Sequence, residues 1–219
     1  MTISENLTKI KFSLQTQVTL VAVSKTKPVS DLMEAYDAGQ RVFGENKIQE
    51  MTEKWEVMPK DIQWHMIGHV QTNKVKFMAE YVSLIHGVDS LKLLKEINKQ
   101  ATKHNRVIDC LLQIYIAEEE TKFGLDEDEL DELLKQVQNE SMQNIKVIGL
   151  MGMATYTDNQ TQIKKEFQNL KYIFDKYKLL KTEHCQLNTI SMGMSGDYKL
   201  AIKCGSTMVR IGSSIFGTR

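Results

Sequence analysis

Short apolar runs rich in Val, Ile and Leu alternate with amphipathic stretches along nearly the whole chain, and no other feature constrains its fold as tightly. A strand buried on both faces reads as a continuous apolar run, whereas a helix packed on a sheet repeats its apolar residues three and four apart. Residues 19–25 (TLVAVSK) read as a first strand, followed by a short helix that Gly39 ends. Residues 41–44 are a second strand, leading into a helix predicted over 45–56. A third strand is predicted at 62–68 with a helix at 72–81, and a fourth at 82–88 with a helix capped by Asp89 or Ser90. Residues 107–116 form a continuous apolar run, and the acidic opening of the helix at 126–139 suits the positive end of a helix dipole. Strands at 145–154, 189–194 and 208–217, with helices at 160–180 and 197–203, complete the series.

Such alternation implies a parallel sheet, and about eight repeats in this length suit a closed (β/α)8 barrel of TIM type. No GxGxxG follows the first strand, so an open dinucleotide-binding sheet lacks its signature. No linker or low-complexity segment interrupts the pattern, and both prolines, Pro28 and Pro59, fall between elements. The expectation is one α/β domain over residues 1–219, with an N-terminal helix ahead of the barrel.

Charge narrows the class further. Lys plus Arg (28) balances Asp plus Glu (28), which argues against a nucleic-acid or membrane-surface binder that relies on excess positive charge. Cys110, Cys185 and Cys204 are odd in number and far apart, so neither a zinc site nor a disulfide framework is indicated. The opening MTISENLTKIKF lacks the apolar run of a signal peptide, and no stretch reaches the ~20 apolar residues of a membrane helix. A cytoplasmic protein is expected.

Barrels of this kind carry their chemistry at the C-terminal ends of the strands. Lys25 ends the first strand there: in a dry mouth its amine can attack a carbonyl, with Lys27 adding like-charge pressure; otherwise it begins a solvated loop. Phosphate sites are commonly built after strands seven and eight. Ser191, Gly193, Ser195, Ser206, Thr207, Gly212 and Ser213 supply the small and hydroxyl residues such a cup needs, or serve as ordinary turn residues. Arg210, between Val209 and Ile211, needs a buried acceptor. His65 and His69 are four apart, but no HExxH is present and no carboxylate lies in WHMIGHVQTNK, so no metal is expected.

Taken together and in order, AVSKTKP, VFGENKIQE, WHMIGHVQTNK, IHGVDS, KFGL, GLMGMA, SMGMSGDYKLAI and GSTMVRIGSSIFG closely resemble the pyridoxal phosphate homeostasis protein family. That family is similar to the N-terminal barrel of bacterial alanine racemase, fold type III among pyridoxal phosphate (PLP) proteins. The resemblance implies PLP as cofactor, bound as a Schiff base on Lys25. It implies that Asn46 and His65 line the cofactor face, and that Ser191 and Thr207 lie on the phosphate side. Gly212 and Ser213 correspond to the phosphate donors, and Arg210 to the arginine facing the pyridine nitrogen. Two positions depart from the pattern: Lys47 replaces an expected tyrosine and Gly87 an expected serine.

An arginine facing the pyridine nitrogen stays protonated, so the ring nitrogen does not, and the ring is a weaker electron sink. Racemisation also needs a second acid/base on the opposite face, for which the sequence offers no clear candidate. With the last strand so close to Arg219, no second β domain is expected. The expectation is a monomeric carrier or buffer of PLP without robust catalysis, with apo PLP-dependent enzymes as recipients. The alternative is a PLP-dependent amino-acid racemase or lyase.

Overall fold

Eight parallel strands close on themselves in the order β1 to β8. They are β1 (Thr19–Val23), β2 (Val42–Glu45), β3 (Gln63–Met66), β4 (Leu84–Val88), β5 (Ile108–Gln113), β6 (Ile145–Met151), β7 (Cys185–Ser191) and β8 (Met208–Ile211). The structure, a computed structural model, describes residues 2–14, 16–119, 122–139, 142–180 and 182–218, so Arg219 lies outside it. Val21, Leu84, Leu111, Met151 and Met208 fill the barrel interior as one apolar layer, and a larger core lies between the strands and the outer helices.

Helix α1 (Ile3–Ser13) precedes the barrel, opened by a capping box between Thr2 and Glu5. It buries Leu7 and Ile10, and Asn6 Nδ2 donates to the Ile215 carbonyl at 3.1 Å, joining the two ends of the described chain. The connecting helices are α2 (Val29–Asp37), α3 (Ile48–Val57), α4 (Leu91–Lys103), α5 (Glu127–Asn139), α6 (Gln160–Tyr177), α7 (Tyr198–Lys203) and α8 (Ser213–Phe216). Ser90 caps α4 by accepting from Leu93 N–H at 3.3 Å.

Most elements are shorter or shifted relative to their predicted extents, and four of these differences have a clear cause or consequence. Helix α3 begins at Ile48, because Glu45 belongs to β2 and is fully buried there. The helix predicted over 72–81 is a 3₁₀ turn, Thr72–Phe77. Its apolar spacing is helical, but the Arg106 guanidinium takes the carbonyls of Ala79 and Val82 at 2.7 and 2.8 Å. Strand β7 begins four residues early, at Cys185, where exposed Gln186 and Asn188 alternate with buried Cys185 and Leu187. Strand β8 stops at Ile211, and the next residues turn into α8.

Candidate functional site

Lys25 lies in the turn just beyond the end of β1. Successive side chains of a strand point to opposite faces, so Val21 and Val23 share one, and the turn that follows carries Lys25 on from there. Val21 lies in the interior layer, while Val23 and Lys25 line a cavity of about 830 Å³ at the C-terminal mouth of the barrel. Asn46, just beyond β2, lines the same cavity. Its position depends on Gly68, where a Cβ would stand 2.4 Å from the Asn46 carbonyl oxygen. Gly87 packs next in this row, with its own Cβ position 2.8 Å from the Gly68 carbonyl oxygen, so the serine expected there would force the strand ends apart. Lys47 is exposed and does not line the cavity.

Beneath the cavity runs a buried polar chain. Arg210 Nη1 donates to Ser191 Oγ at 2.6 Å and to its carbonyl at 2.8 Å, while Nη2 donates to the Gly152 carbonyl at 3.0 Å. Ser191 Oγ lies 3.0 Å from His86 Nδ1, and His86 Nε2 lies 3.0 Å from His65 Nδ1. A guanidinium can only donate, so Ser191 Oγ accepts from Arg210 and offers its own proton to His86 Nδ1. His86 then carries its proton on Nε2 and donates to His65 Nδ1, which leaves the His65 proton on Nε2. The reverse polarity would leave the Ser191 hydroxyl proton without a described acceptor. Burial drives both imidazoles neutral: His65 falls to about 3, and His86 is lowered by burial and then by His65 and Arg210. Burial also draws Arg210 down to about 10, which leaves it cationic at neutral pH.

On the β7–β8 side, backbone donors converge. The N–H groups of Gly212 and Ser214 point at Ser195 Oγ, at 3.3 and 3.5 Å. Gly196 alongside has open space where a Cβ would stand. Small residues and converging N–H groups are the ingredients of an anion seat.

Of the eight residues expected at the site, Lys25, Asn46, Arg210, Gly212 and Ser213 come together around the cavity. His65 and Ser191 do not line it; they belong to the buried chain below. Thr207 precedes β8, where its hydroxyl accepts from Ile190 N–H at 2.9 Å, away from the mouth. Ser195, four residues beyond Ser191 and past the end of β7, lines the cavity instead. The cavity wall also includes Gln113, Phe123 and Tyr156, which carry no sequence signal of that place, and His69, which sequence reasoning weighed only with His65 as a metal pair. His69 was legible in hindsight, because it follows the end of β3 whereas His65 lies inside it. His69 is exposed, 3.4 Å from Asp89 Oδ2, with Phe123 edge-on to its ring. Among the described residues no group of three or more His, Cys, Asp or Glu could hold a metal ion.

Comparisons with known proteins show the family and the fold. The family model of the alanine racemase N-terminal domain matches residues 1–219. The pyridoxal phosphate homeostasis protein of Pasteurella multocida (strain Pm70) is 38% identical, the alignment covering 100% of this chain and 98% of that one. This chain belongs to that family. The homeostasis protein of Aquifex aeolicus (strain VF5) is 40% identical, with 91% and 86% covered. PipY of Synechococcus elongatus PCC7942, solved with PLP bound, is 32% identical with a TM-score of 0.88, covering 98% of this chain and 100% of PipY. An alanine racemase of Clostridium difficile 630 shares the fold, with a TM-score of 0.80 at 16% identity over 56% of its own length.

Proposed function

We propose that this chain binds PLP at the barrel mouth, with Lys25 holding it as a Schiff base, and serves PLP homeostasis as a carrier or buffer. The observation that carries this reading is the convergence of Lys25, Arg210, Ser195, Gly212 and Ser213 on one cavity of about 830 Å³. An amine for an aldehyde, a cation for a ring nitrogen and N–H donors for a phosphate match the three polar ends of PLP. The bound state of PipY and the names of the curated relatives support it.

In this reading Gly212 and Ser213, with Ser195, seat the phosphate, and Asn46 flanks the ring. When bound, the cofactor supplies an aldehyde and an electron-accepting ring. Ser191 acts from below, where its hydrogen bonds hold Arg210 as a donor toward the mouth, and His65 supports it through His86. A donor at that place leaves the pyridine nitrogen unprotonated, which disfavours carbanion chemistry. The reading extends to residues 1–219 as one barrel domain acting as a cytoplasmic monomer, with apo PLP-dependent enzymes as recipients. No helix among the described residues is long and apolar enough to cross a membrane.

The His69–Asp89 pair on the cavity rim favours a second reading, a racemase or lyase in which His69 moves the substrate proton. Borohydride reduction after addition of PLP, followed by peptide mapping, tests the first reading. The expected product is a phosphopyridoxyl group on Lys25 that is absent in Lys25→Ala. Unlabelled protein, or labelling unchanged by the substitution, refutes the site. Exchange of Cα protons of free amino acids with deuterated solvent, lost in His69→Ala, would decide for the second reading.

A further inference from the structure

Lys25 occupies the second position of a tight turn. Lys27 N–H donates to the Ser24 carbonyl at 3.1 Å, and Thr26, third in the turn, has φ +64°. That left-handed conformation suits glycine and is unfavourable for a β-branched residue such as threonine, so the surrounding structure must hold it. The hydrogen bonds that hold it come from a charged cluster outside the barrel.

Lys54, on α3, is 5% exposed, and its Nζ has three acceptors: the Ser24 carbonyl at 2.8 Å, Glu45 Oε1 at 2.8 Å and Glu50 Oε1 at 2.7 Å. Glu45 Oε1 also accepts from Ser24 Oγ at 2.6 Å. Glu50 Oε1 accepts from Thr26 N–H at 2.5 Å. The carbonyl of the peptide before Lys25 and the N–H of the peptide after it are thus gripped by one ammonium and one of its own carboxylate partners. An ammonium has three protons, and each has its acceptor here.

We propose that Lys54 and Glu50, seated by Glu45, are positioning residues that impose the left-handed turn at Thr26 and so aim the Lys25 amine into the cavity. The inference rests on Lys25 being the amine that meets the PLP aldehyde. The step they prepare is attack of that amine on the aldehyde carbon, with loss of water to give the imine. A misdirected amine slows attack steeply, because reaction needs a near-attack geometry. Neither positioning residue lines the cavity; Lys54 lies behind the turn, its ammonium committed to three oxygens.

The test follows imine formation by stopped-flow absorbance in the purified chain with added PLP, beside hydrogen exchange at the Thr26 amide without it. Glu50 is partly exposed, so Glu50→Ala removes the Thr26 acceptor with less risk to the fold than a change at the buried Lys54. It is expected to slow imine formation about tenfold and to release the Thr26 amide to exchange. Adding Thr26→Gly, which tolerates the left-handed turn unaided, is expected to restore most of the lost rate. Lys54→Met is expected to slow the step in the same direction, again with rescue by Thr26→Gly. Unchanged imine kinetics in Glu50→Ala, or slowing that Thr26→Gly leaves untouched, overturns the proposal. A wild-type chain that forms no imine refutes PLP binding at Lys25 instead, and an unchanged Thr26 exchange rate in Glu50→Ala then overturns the clamp independently.

Discussion

The buried histidines should make this fold acid-sensitive by a calculable amount. In the unfolded chain His65 titrates near its model value of 6.5, whereas burial holds it at about 3 in the folded state. Between these values the unfolded chain binds the extra proton, so the contribution is complete above about 6.5 and is lost as pH falls toward 3. Integrating this difference from pH 7 to pH 5 gives a loss of about 2 kcal/mol from His65 alone. Glu45, Asp109 and Asp197 are raised by burial and push the other way, so total acid sensitivity is not the quantity to measure. The informative quantity is wild type minus His65→Gln, because the amide oxygen can still accept from His86 Nε2–H while nothing titrates. Urea unfolding of both at pH 7 and pH 5 should show wild type losing about 2 kcal/mol more than the variant, or roughly 4–8 °C in Tm. Parallel losses, agreeing within about 0.5 kcal/mol, would refute a neutral, buried His65 and with it the proton order assigned along the chain.

Three further substitutions follow from the same structure. Ser191→Ala removes a charge-assisted bond from Arg210 and orphans His86 Nδ1, which should cost about 2–3 kcal/mol in urea unfolding. Glu166 is buried on α6 and accepts from Thr155 N–H and Oγ1, both at 2.7 Å, and from Glu118 N–H at 3.2 Å. Glu166→Ala should therefore cost about 2–4 kcal/mol and expose the amides of Glu118 and Thr155 to hydrogen exchange before the strands open. Gly87→Ser sets a Cβ 2.8 Å from the Gly68 carbonyl oxygen and should destabilise by about 1–3 kcal/mol, read by thermal unfolding.

The barrel was legible because a parallel strand covered on both faces must be apolar throughout, and runs such as 19–23 and 107–116 admit little else. Lys25 closes an apolar run at the end of the barrel where chemistry is expected. Its position alone left open a lysine that begins a solvated loop, and its assigned role came from the family resemblance. Element boundaries were less legible, as at β7, where half the side chains face out and Gln186 and Asn188 hide the strand. The long motifs that mark the family were also readable from the chain alone, and family membership follows from them. What the linear order could not supply was depth within the barrel. His65 and His69 lie in one motif, yet one enters a dry chain from Arg210 and the other reaches the rim. Ser191 and Ser195 part in the same way, and Thr207 stays with the Ile190 backbone. Glu45, Glu50 and Lys54 read as ordinary charges of one helix, predicted over 45–56. Only the closure of β1 against β2, with α3 laid behind them, brings their charges to the two peptides that flank Lys25. Periodicity and residue type set which face a side chain occupies, because they follow from local backbone geometry. Which groups meet across the barrel depends on strand stagger and helix placement, and these are settled by packing between segments distant in sequence.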